Sequence, residues 1–179
     1  LNSQLSSVPA CQSIIKKAVV KRLMQGHRTT SLPETGAEYK IRFMLRKNVC
    51  EIMLDTTGDG LHKRGYRRNS MEAPIRETLA ATIADLGRVR RDSLVEDPFC
   101  GSGTLLIEAA QKAMNIAPGL KRRFAAERYS FVPAAVWAEQ RQKALAESKL
   151  DVGFEAFGYD IDPAAVALAN ANAKLAGVE

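Results

Sequence analysis

The sequence predicts an α/β protein in which a small α+β segment precedes the start of a doubly wound parallel sheet. Two observations lead to this prediction. Near the N-terminus, one helix-like pattern is followed by two alternating patterns that are typical of a β-hairpin. Farther along, a strand, a glycine turn and a helix are followed by a second strand and helix. That order is typical of a parallel sheet with crossover helices.

The composition excludes several classes of protein. The 179 residues are 46% hydrophobic and 26% charged, which is typical of a globular chain and not of a disordered one. The longest apolar run, residues 131–138, is too short for a membrane span of about 20 residues, and no signal peptide is visible. The cysteines and histidines lack metal-ligand spacing. We therefore expect no metal, no membrane association and a reducing, cytoplasmic location.

The first predicted element is an amphipathic helix. Ser7 can cap it, Pro9 suits its first turn, and Gly26 can end it. Its apolar residues recur at helical spacing and predict a core-facing stripe: Cys11, Ile14, Ile15, Ala18, Val19 and Leu23. Lys16 and Lys17 lie off this stripe, where they either line an RNA-binding face or form the solvated side of an ordinary surface helix.

A hairpin and a domain boundary are predicted next. Apolar and polar residues alternate over residues 40–46 and again over 50–55, and residues 46–48 make a tight connection. The cluster Thr-Gly-Asp-Gly at 57–60 marks the expected boundary. We therefore divide the chain into a first part at 1–60, a basic linker at 61–72 and a second part at 73–179.

The second part is predicted to begin with a helix from Pro74 to about Leu86, whose apolar face carries Ile75, Leu79, Ile83 and Leu86. The later elements are a strand ending at Asp97, a helix after the glycine turn, a helix opening at Pro133 and running to Leu150, a strand over 154–159, and a helix from Pro163 to Gly177. Two parallel strands leave most of a sheet uncovered, so further strands are expected in a complete domain.

The turn at residues 97–104 is the leading candidate site. Gly101 and Gly103 let the backbone approach a ligand, and the N-terminus of the following helix presents N–H groups. Asp97 ends the strand, and its charge favours a cationic ligand over a plain phosphate. S-adenosylmethionine, which carries an ammonium and a sulfonium, suits that charge. The alternative is a tight turn without a ligand.

Asp160 ends the second strand, where nucleotide-binding α/β folds place an acid that accepts hydrogen bonds from ribose hydroxyls. It follows Asp97 by 63 positions (160 − 97), against about 20 in a dinucleotide fold, so the intervening insert must be looped out. Cys100 lies within the turn. A helix N-terminus can activate a thiolate, but a small side chain that packs against the cofactor is the favoured interpretation.

Positive charge is concentrated before the turn. Residues 61–91 hold eight basic and three acidic side chains, a net charge of 8 − 3 = +5. At 62–68, basic residues surround Tyr66, a composition that suits phosphate contacts with stacking on a base or adenine. This pattern favours nucleic acid as the partner, although a solvated linker would look the same.

Several of these segments, in this order, resemble bacterial THUMP-domain RNA methyltransferases: residues 61–67, 73–81, 97–104, 114–119 and 158–162. The resemblance implies a Rossmann-like methyltransferase fold, preceded by the C-terminal half of a THUMP module that helps to deliver RNA. It implies S-adenosylmethionine as the cofactor and the exocyclic amino group of guanine in 23S ribosomal RNA as the target. Related proteins have often been labelled adenine-specific DNA methylases.

The resemblance also implies site residues. Asp97, Gly101 and Gly103 would hold the methionine part of the cofactor, and Asp160 its ribose. The full set of expected cofactor contacts is Tyr66, Asp97, Cys100, Gly101, Ser102, Gly103, Thr104, Asp160 and Ile161. The expected RNA contacts are Lys16, Lys17, Lys63, Arg64, Arg67 and Arg68.

One departure from the family concerns catalysis. Members carry an Asn- or Asp-Pro-Pro-aromatic tetrapeptide that accepts hydrogen bonds from the target amine, whereas all seven prolines of this chain are isolated. We therefore expect a fragment of a methyltransferase, with no catalytic residue in this chain and no activity by itself. Two alternatives stay open: an adenine-specific DNA methyltransferase, and a non-catalytic RNA-binding module with a vestigial cofactor turn.

Overall fold

The computed structural model describes residues 2–67 and 74–179. The helices and strands, in chain order, are α1 (Val8–His27), β1 (Ile41–Arg46), β2 (Val49–Leu54), α2 (Glu77–Leu86), β3 (Leu94–Asp97), α3 (Thr104–Ala113), a short 3₁₀ helix (Ala125–Arg128), α4 (Ala134–Ala146), β4 (Glu155–Gly158) and α5 (Pro163–Ala176). The chain forms two compact units. The first contains the residues up to Thr56 together with Arg128–Ser130, and the second contains Thr57–Glu127 and Phe131–Glu179.

Local chemistry explains the elements of the first unit. Ser7 caps α1, since its side chain accepts a hydrogen bond from the Ala10 amide. The helix passes the predicted stop at Gly26 and ends at Arg28, which adopts the left-handed conformation at φ 52°. β1 and β2 pair antiparallel, with Arg46 opposite Val49. Lys47 and Asn48 both have positive φ, which is typical of a two-residue hairpin turn.

The predicted core stripe of α1 is largely wrong. Only Cys11 is buried along this helix, while Ile14 and Leu23 are 57% and 43% exposed. Every residue of β2 is exposed as well. Among the described residues, the first unit holds a single helix and a two-stranded sheet. This is too little structure to cover the apolar residues of both α1 and β2.

The second unit contains the predicted parallel pair. β3 and β4 lie side by side, with Leu94 opposite Glu155 and Asp97 opposite Gly158. α3 packs against both strands and against α2 and α5. The prediction of an α/β fold with a parallel β-α-insert-β-α order is therefore confirmed, and the insert at 114–150 does not prevent the strands from pairing.

Small side chains form much of the core of this unit. α2 buries Ala80 and Ala84, α3 buries Ala109 and Ala110, and α5 buries Ala165. The apolar face predicted for α2 is largely exposed instead, since Leu79 and Leu86 are 53% and 79% exposed. The helix packs through its alanines because they let neighbouring backbones approach closely.

The predicted boundary cluster at 57–60 and the first residues of the predicted linker are held against the insert. The guanidinium of Arg122, a buried residue, donates to the backbone oxygens of residues 57, 59, 60 and 63. The shortest of these bonds, to the Asp59 oxygen, is 2.6 Å long. The same guanidinium lies over the Phe124 ring, 4.9 Å from its centroid. Residues 57–63 are thus a fixed part of the second unit.

Candidate functional site

The carboxyl ends of β3 and β4 meet around the glycine turn. The Cys100 amide donates to the Tyr159 carbonyl at 2.8 Å, and the Gly101 amide donates to Asp160 Oδ2 at 2.9 Å. Asp160 Oδ1 accepts the Asp162 amide at 3.0 Å. The ends of two strands that are far apart in sequence are therefore joined by direct hydrogen bonds.

Charge and apolar surface lie together at this edge. Hydrogen bonds from the amides of Asp162 and Gly101 lower the pKa of the Asp160 carboxyl, so the group is an anion at neutral pH. The side chain of Ile161 is fully exposed, and that of Phe99 is 86% exposed. An anionic acceptor with apolar neighbours can take a ligand that has both hydroxyl groups and a flat ring.

The two glycines of the turn have different surroundings. Both have positive φ, 50° at Gly101 and 76° at Gly103. A Cβ added to Gly101 would meet no atom within 4 Å, whereas one added to Gly103 would lie 2.9 Å from the Ala169 Cβ. Gly101 therefore faces open space, and Gly103 permits close packing of the turn on α5.

The other polar residues of the turn point inward. Ser102 and Thr104 are 6% and 2% exposed, and their hydroxyl oxygens are 3.1 Å apart. From α5, Asn172 Nδ2 donates to the Ser102 carbonyl at 3.0 Å. Sequence reasoning missed Asn172. The available signal was a polar residue at helical spacing from the buried Ala165 and Ala176.

Cys100 has the surroundings of a packing residue. It is 7% exposed, and a Cβ added to Gly158 would lie 3.1 Å from its sulfur. Burial raises the pKa of the thiol, and the charges of Asp160 and Asp97 raise it further. The thiol is therefore neutral near pH 7, which disfavours the thiolate alternative.

Tyr66 lies in the core and not at the strand ends. It is 1% exposed, packs with Ile107 and Ala176, and donates its hydroxyl to Glu108 Oε1 at 3.0 Å. Burial, followed by the charge of Glu108, raises the pKa of this phenol. The ring has almost no free surface for a ligand, so its placement lends no support to the predicted cofactor contact.

Two of the predicted RNA-binding arginines also point inward. Arg64 pairs with Glu108, its Nη2 lying 3.3 Å from Oε2, and the two side chains are 11% and 3% exposed. Arg67 Nη2 donates to Thr104 Oγ1 at 2.8 Å and lies 3.5 Å from Glu77 Oε1. Neither guanidinium is available at the surface for RNA. Sequence reasoning missed both glutamates, because acidic side chains are usually solvated.

The remaining predicted RNA contacts are exposed or undescribed. Lys16 and Lys17 are exposed on α1, beside a shallow groove formed with Val20 and Met24. Lys63 is exposed and pairs with Asp59 at 3.5 Å, while Arg68 lies outside the described residues.

The described residues contain neither a cluster of metal ligands nor a membrane-spanning helix. Within residues 2–67 and 74–179, no three His, Cys, Asp or Glu side chains cluster closely enough to hold a metal ion. In the same ranges no helix combines the length and the apolar character needed to cross a membrane.

Two curated relatives resemble this chain in sequence. The chain is 43% identical over 180 residues to "Putative RNA methyltransferase YpsC" of Bacillus subtilis (strain 168). The match covers 99% of this chain and 47% of that protein. It is 41% identical over 170 residues to "Ribosomal RNA large subunit methyltransferase K/L" of Shewanella sp. (strain W3-18-1). That match covers 92% of this chain and 24% of that protein. The chain thus spans about half of the first relative and about a quarter of the second.

Two solved structures resemble it in fold. One, described as "a predicted N6-adenine-specific DNA methylase from Listeria monocytogenes", has a TM-score of 0.96 at 43% identity, covering 99% of this chain and 47% of that one. The other, SMU.472, "a putative methyltransferase complexed with SAH", has a TM-score of 0.91 at 42% identity, covering 100% of this chain and 48% of that one.

A match to a known family covers residues 64–179, which is most of the second unit. The family is described as "RMKL-like, methyltransferase domain". Together with the parallel strand pair and the glycine turn, this match confirms the methyltransferase part of the expected resemblance. The chain belongs to the RMKL-like methyltransferase family.

Proposed function

We propose that the carboxyl ends of β3 and β4 bind S-adenosylmethionine. One observation carries this proposal: the anionic Asp160 carboxylate lies 2.9 Å from the Gly101 amide, beside the glycine turn. In this position Asp160 would accept hydrogen bonds from the ribose hydroxyls, and Ile161 would pack on the adenine. Asp97, at the end of the adjacent strand, would face the ammonium of the methionine part.

The residues present fit such a ligand. The space over Gly101 is open, so a ligand can approach the backbone there. The amides of the turn already donate within the protein, to Asp97, Tyr159, Asp160 and Cys100. The site therefore offers acceptors and apolar surface more than N–H donors, which suits a cation-bearing nucleoside better than a phosphate. A solved relative described as complexed with SAH supports the same ligand.

The chemistry of the proposed reaction is divided between cofactor and protein. When bound, the cofactor supplies a methyl group that its sulfonium makes electrophilic. The residues of this chain contribute binding and orientation, which lower the barrier by positioning. We assign none of them to the target amine, because the Pro-Pro tetrapeptide expected to accept its hydrogen bonds does not occur in the sequence.

For the substrate, we propose the exocyclic amino group of guanine in large-subunit ribosomal RNA. Relatives described as an RNA methyltransferase and as ribosomal RNA large subunit methyltransferase K/L support an RNA target. The first unit would act as the C-terminal half of a THUMP module, with exposed Lys16 and Lys17 contacting phosphates, and Lys63 would do so from the second unit. For the location we propose the cytoplasm, where ribosomal RNA is found.

A second candidate, an adenine-specific DNA methyltransferase, is favoured by the description of the Listeria structure. The two substrates can be separated by competition. We expect a ribosomal RNA fragment to displace a labelled RNA from the 179-residue chain at lower concentration than duplex DNA of equal length and at equal salt. Preference for the duplex would favour the DNA reaction.

Calorimetric titration of S-adenosylhomocysteine into the same chain tests the cofactor proposal. We expect saturable binding of one equivalent and competition by S-adenosylmethionine. If no heat develops while the chain is folded and still binds RNA, a non-catalytic module with a vestigial turn is the better description.

A further inference from the structure

Two side chains from outside the glycine turn, those of Arg67 and Asn172, donate hydrogen bonds to it. The acceptor for Arg67 is Thr104. Thr104, the first residue of α3, is 2% exposed, and its hydroxyl lies within the protein beside that of Ser102. A hydroxyl so deeply buried cannot touch a ligand on the open side of the turn. Its contacts must therefore serve the conformation of the turn itself.

Arg67 holds one side of the turn. Its Nη2 donates to Thr104 Oγ1 at 2.8 Å and to the Ile75 carbonyl at 2.9 Å. Because Thr104 Oγ1 accepts from a guanidinium, which can only donate, the hydroxyl hydrogen of Thr104 is free to be given to Ser102 Oγ, 3.1 Å away. The chain of bonds thus runs from the guanidinium through two hydroxyls into the glycine turn.

The positive charge of Arg67 lies in an electrostatically unfavourable position, which Glu77 compensates. A cation next to a helix N-terminus is electrostatically unfavourable, and here it stands beside the first residue of α3. Glu77, whose side chain is 5% exposed, lies 3.5 Å from Arg67 Nη2 and compensates the charge. The fold therefore carries a buried ion pair whose guanidinium also holds Thr104.

Asn172 and Ala169 hold the turn against α5. Asn172 is 2% exposed and donates Nδ2 to the Ser102 carbonyl at 3.0 Å, so the backbone of the turn is fixed to α5. The turn also closes on α5 at Gly103, where there is no room for a Cβ beside Ala169. The turn is thus bonded both to Arg67 and to α5.

We propose that Arg67 and Asn172 are positioning residues, which fix the glycine turn to two different parts of the second unit and thereby raise its affinity for the cofactor without touching it. This inference rests on the proposed function, because it names the residues that prepare the same site. It assigns to Arg67 a role inside the protein in place of the RNA contact expected from its charge.

The test compares matched variants of the 179-residue chain by calorimetric titration with S-adenosylhomocysteine. Thr104→Val removes the accepting hydroxyl at nearly constant shape, Arg67→Met removes the donor, and Asn172→Leu removes the bond from α5. Each should weaken the affinity by about tenfold, the usual effect of one well-placed buried hydrogen bond. Thr104→Ser keeps the hydroxyl and should restore binding to within about twofold.

Arg64→Met is the matched control. Arg64 pairs with Glu108, one helical turn beyond Thr104 on α3, and its hydrogen bonds within the described residues go to Glu108 and Leu61, not to the turn. The control should lose thermal stability yet keep its affinity within about twofold. The double variant Arg67→Met/Thr104→Val should lose less affinity than the sum of the two single losses, because either change alone already removes the bond between Arg67 and Thr104. Equal losses in the Arg64 and Arg67 variants would overturn the inference.

A second measurement separates this inference from the proposed function. Hydrogen exchange of the amides of residues 101–104 is recorded without ligand. We expect Arg67→Met and Asn172→Leu to accelerate exchange in this turn, and Arg64→Met to leave it unchanged. If the unaltered chain binds no S-adenosylhomocysteine, the proposed function fails, and the exchange rates alone decide the positioning role. Unchanged exchange in both turn variants would refute it.

Discussion

The Asp160 carboxylate accepts the Gly101 amide at 2.9 Å, although 59 positions separate the two residues in sequence. This bond joins the loop after β4 to the glycine turn after β3. It also holds the carboxylate in its charged form, since the two amide donors lower the pKa of Asp160. One side chain thus both closes the site and supplies its negative charge.

Replacing this charge should weaken ligand binding more than folding. We expect Asp160→Asn to weaken the affinity for S-adenosylhomocysteine roughly tenfold to hundredfold, since hydrogen bonds to a charged acceptor are the stronger ones. The single side-chain oxygen of asparagine can still accept the Gly101 amide, but the Asp162 amide then loses its acceptor, so the melting temperature should fall by a few degrees. Asp162→Asn is the control: Asp162 caps α5, and Asn caps equally well, so this variant should bind as the unaltered chain does. Equal affinity in both variants would contradict the assignment of Asp160.

The two glycines of the turn should respond differently to alanine. Gly103→Ala places a Cβ 2.9 Å from the Ala169 Cβ at φ 76°, so we expect a loss of about 2–4 kcal/mol in the free energy of unfolding. Gly101→Ala has open space and φ 50°, so it should cost only about 1–2 kcal/mol.

For the affinity toward the ligand we expect the opposite order, with the larger loss in Gly101→Ala. The new methyl group at Gly101 occupies the open side of the turn, and S-adenosylhomocysteine should bind at least about tenfold more weakly to Gly101→Ala. Urea unfolding and calorimetric titration of the two variants measure both effects. A Gly101→Ala chain that binds normally would place the ligand elsewhere.

Removing the Arg122 guanidinium should release residues 57–63. Arg122→Met leaves several backbone oxygens without their donor, and we expect the free energy of unfolding to fall by about 2–3 kcal/mol. Hydrogen exchange should rise in that segment first. Arg123→Met is the neighbouring control: its side chain is 93% exposed and 3.9 Å from Glu127, so its loss should stay within about 0.5 kcal/mol. Similar losses in both variants would mean that the bonds from Arg122 contribute nothing measurable.

Tyr66 should make stability fall at alkaline pH. Its folded pKa is raised, first by burial and then by the charge of Glu108, above the ordinary value of about 10. The stability from the neutral phenol is therefore complete below about pH 10 and decreases above it, by up to about 1.4 kcal/mol per pH unit, as the unfolded tyrosine ionises. Tyr66→Phe should show a shallower decrease between pH 10 and 11 in urea unfolding. Identical slopes would contradict the burial of a neutral phenol.

Features set by local chemistry could be predicted from the sequence. Pro163 and Gly177 predicted the start and end of α5, and the structure shows the helix over Pro163–Ala176 with Gly177 at φ 80°. The parallel pairing of β3 with β4 followed from the order of elements and the two terminal aspartates.

Features set by distant partners could not be predicted. The pairing of Arg64 with Glu108 joins residues 44 positions apart, and nothing near either one marks it as buried. Arg67 is a second example. Its sequence neighbours predict a surface cation, and only the structure shows that Thr104 and Glu77 lie beside it. Hydrophobic periodicity misled at α1 and α2, because it reports which faces are apolar and not which of them find a partner.

The alanines that line α2, α3 and α5 restrict how the second unit can vary. Ala80 and Ala165 have no exposed surface, and Ala84 and Ala110 have almost none. Where helices meet through single methyl groups, a larger side chain must push two backbones apart. Tolerance at these positions is therefore one-sided: a change to glycine loses one methyl group, whereas valine or leucine moves the helices that carry Thr104 and Asn172.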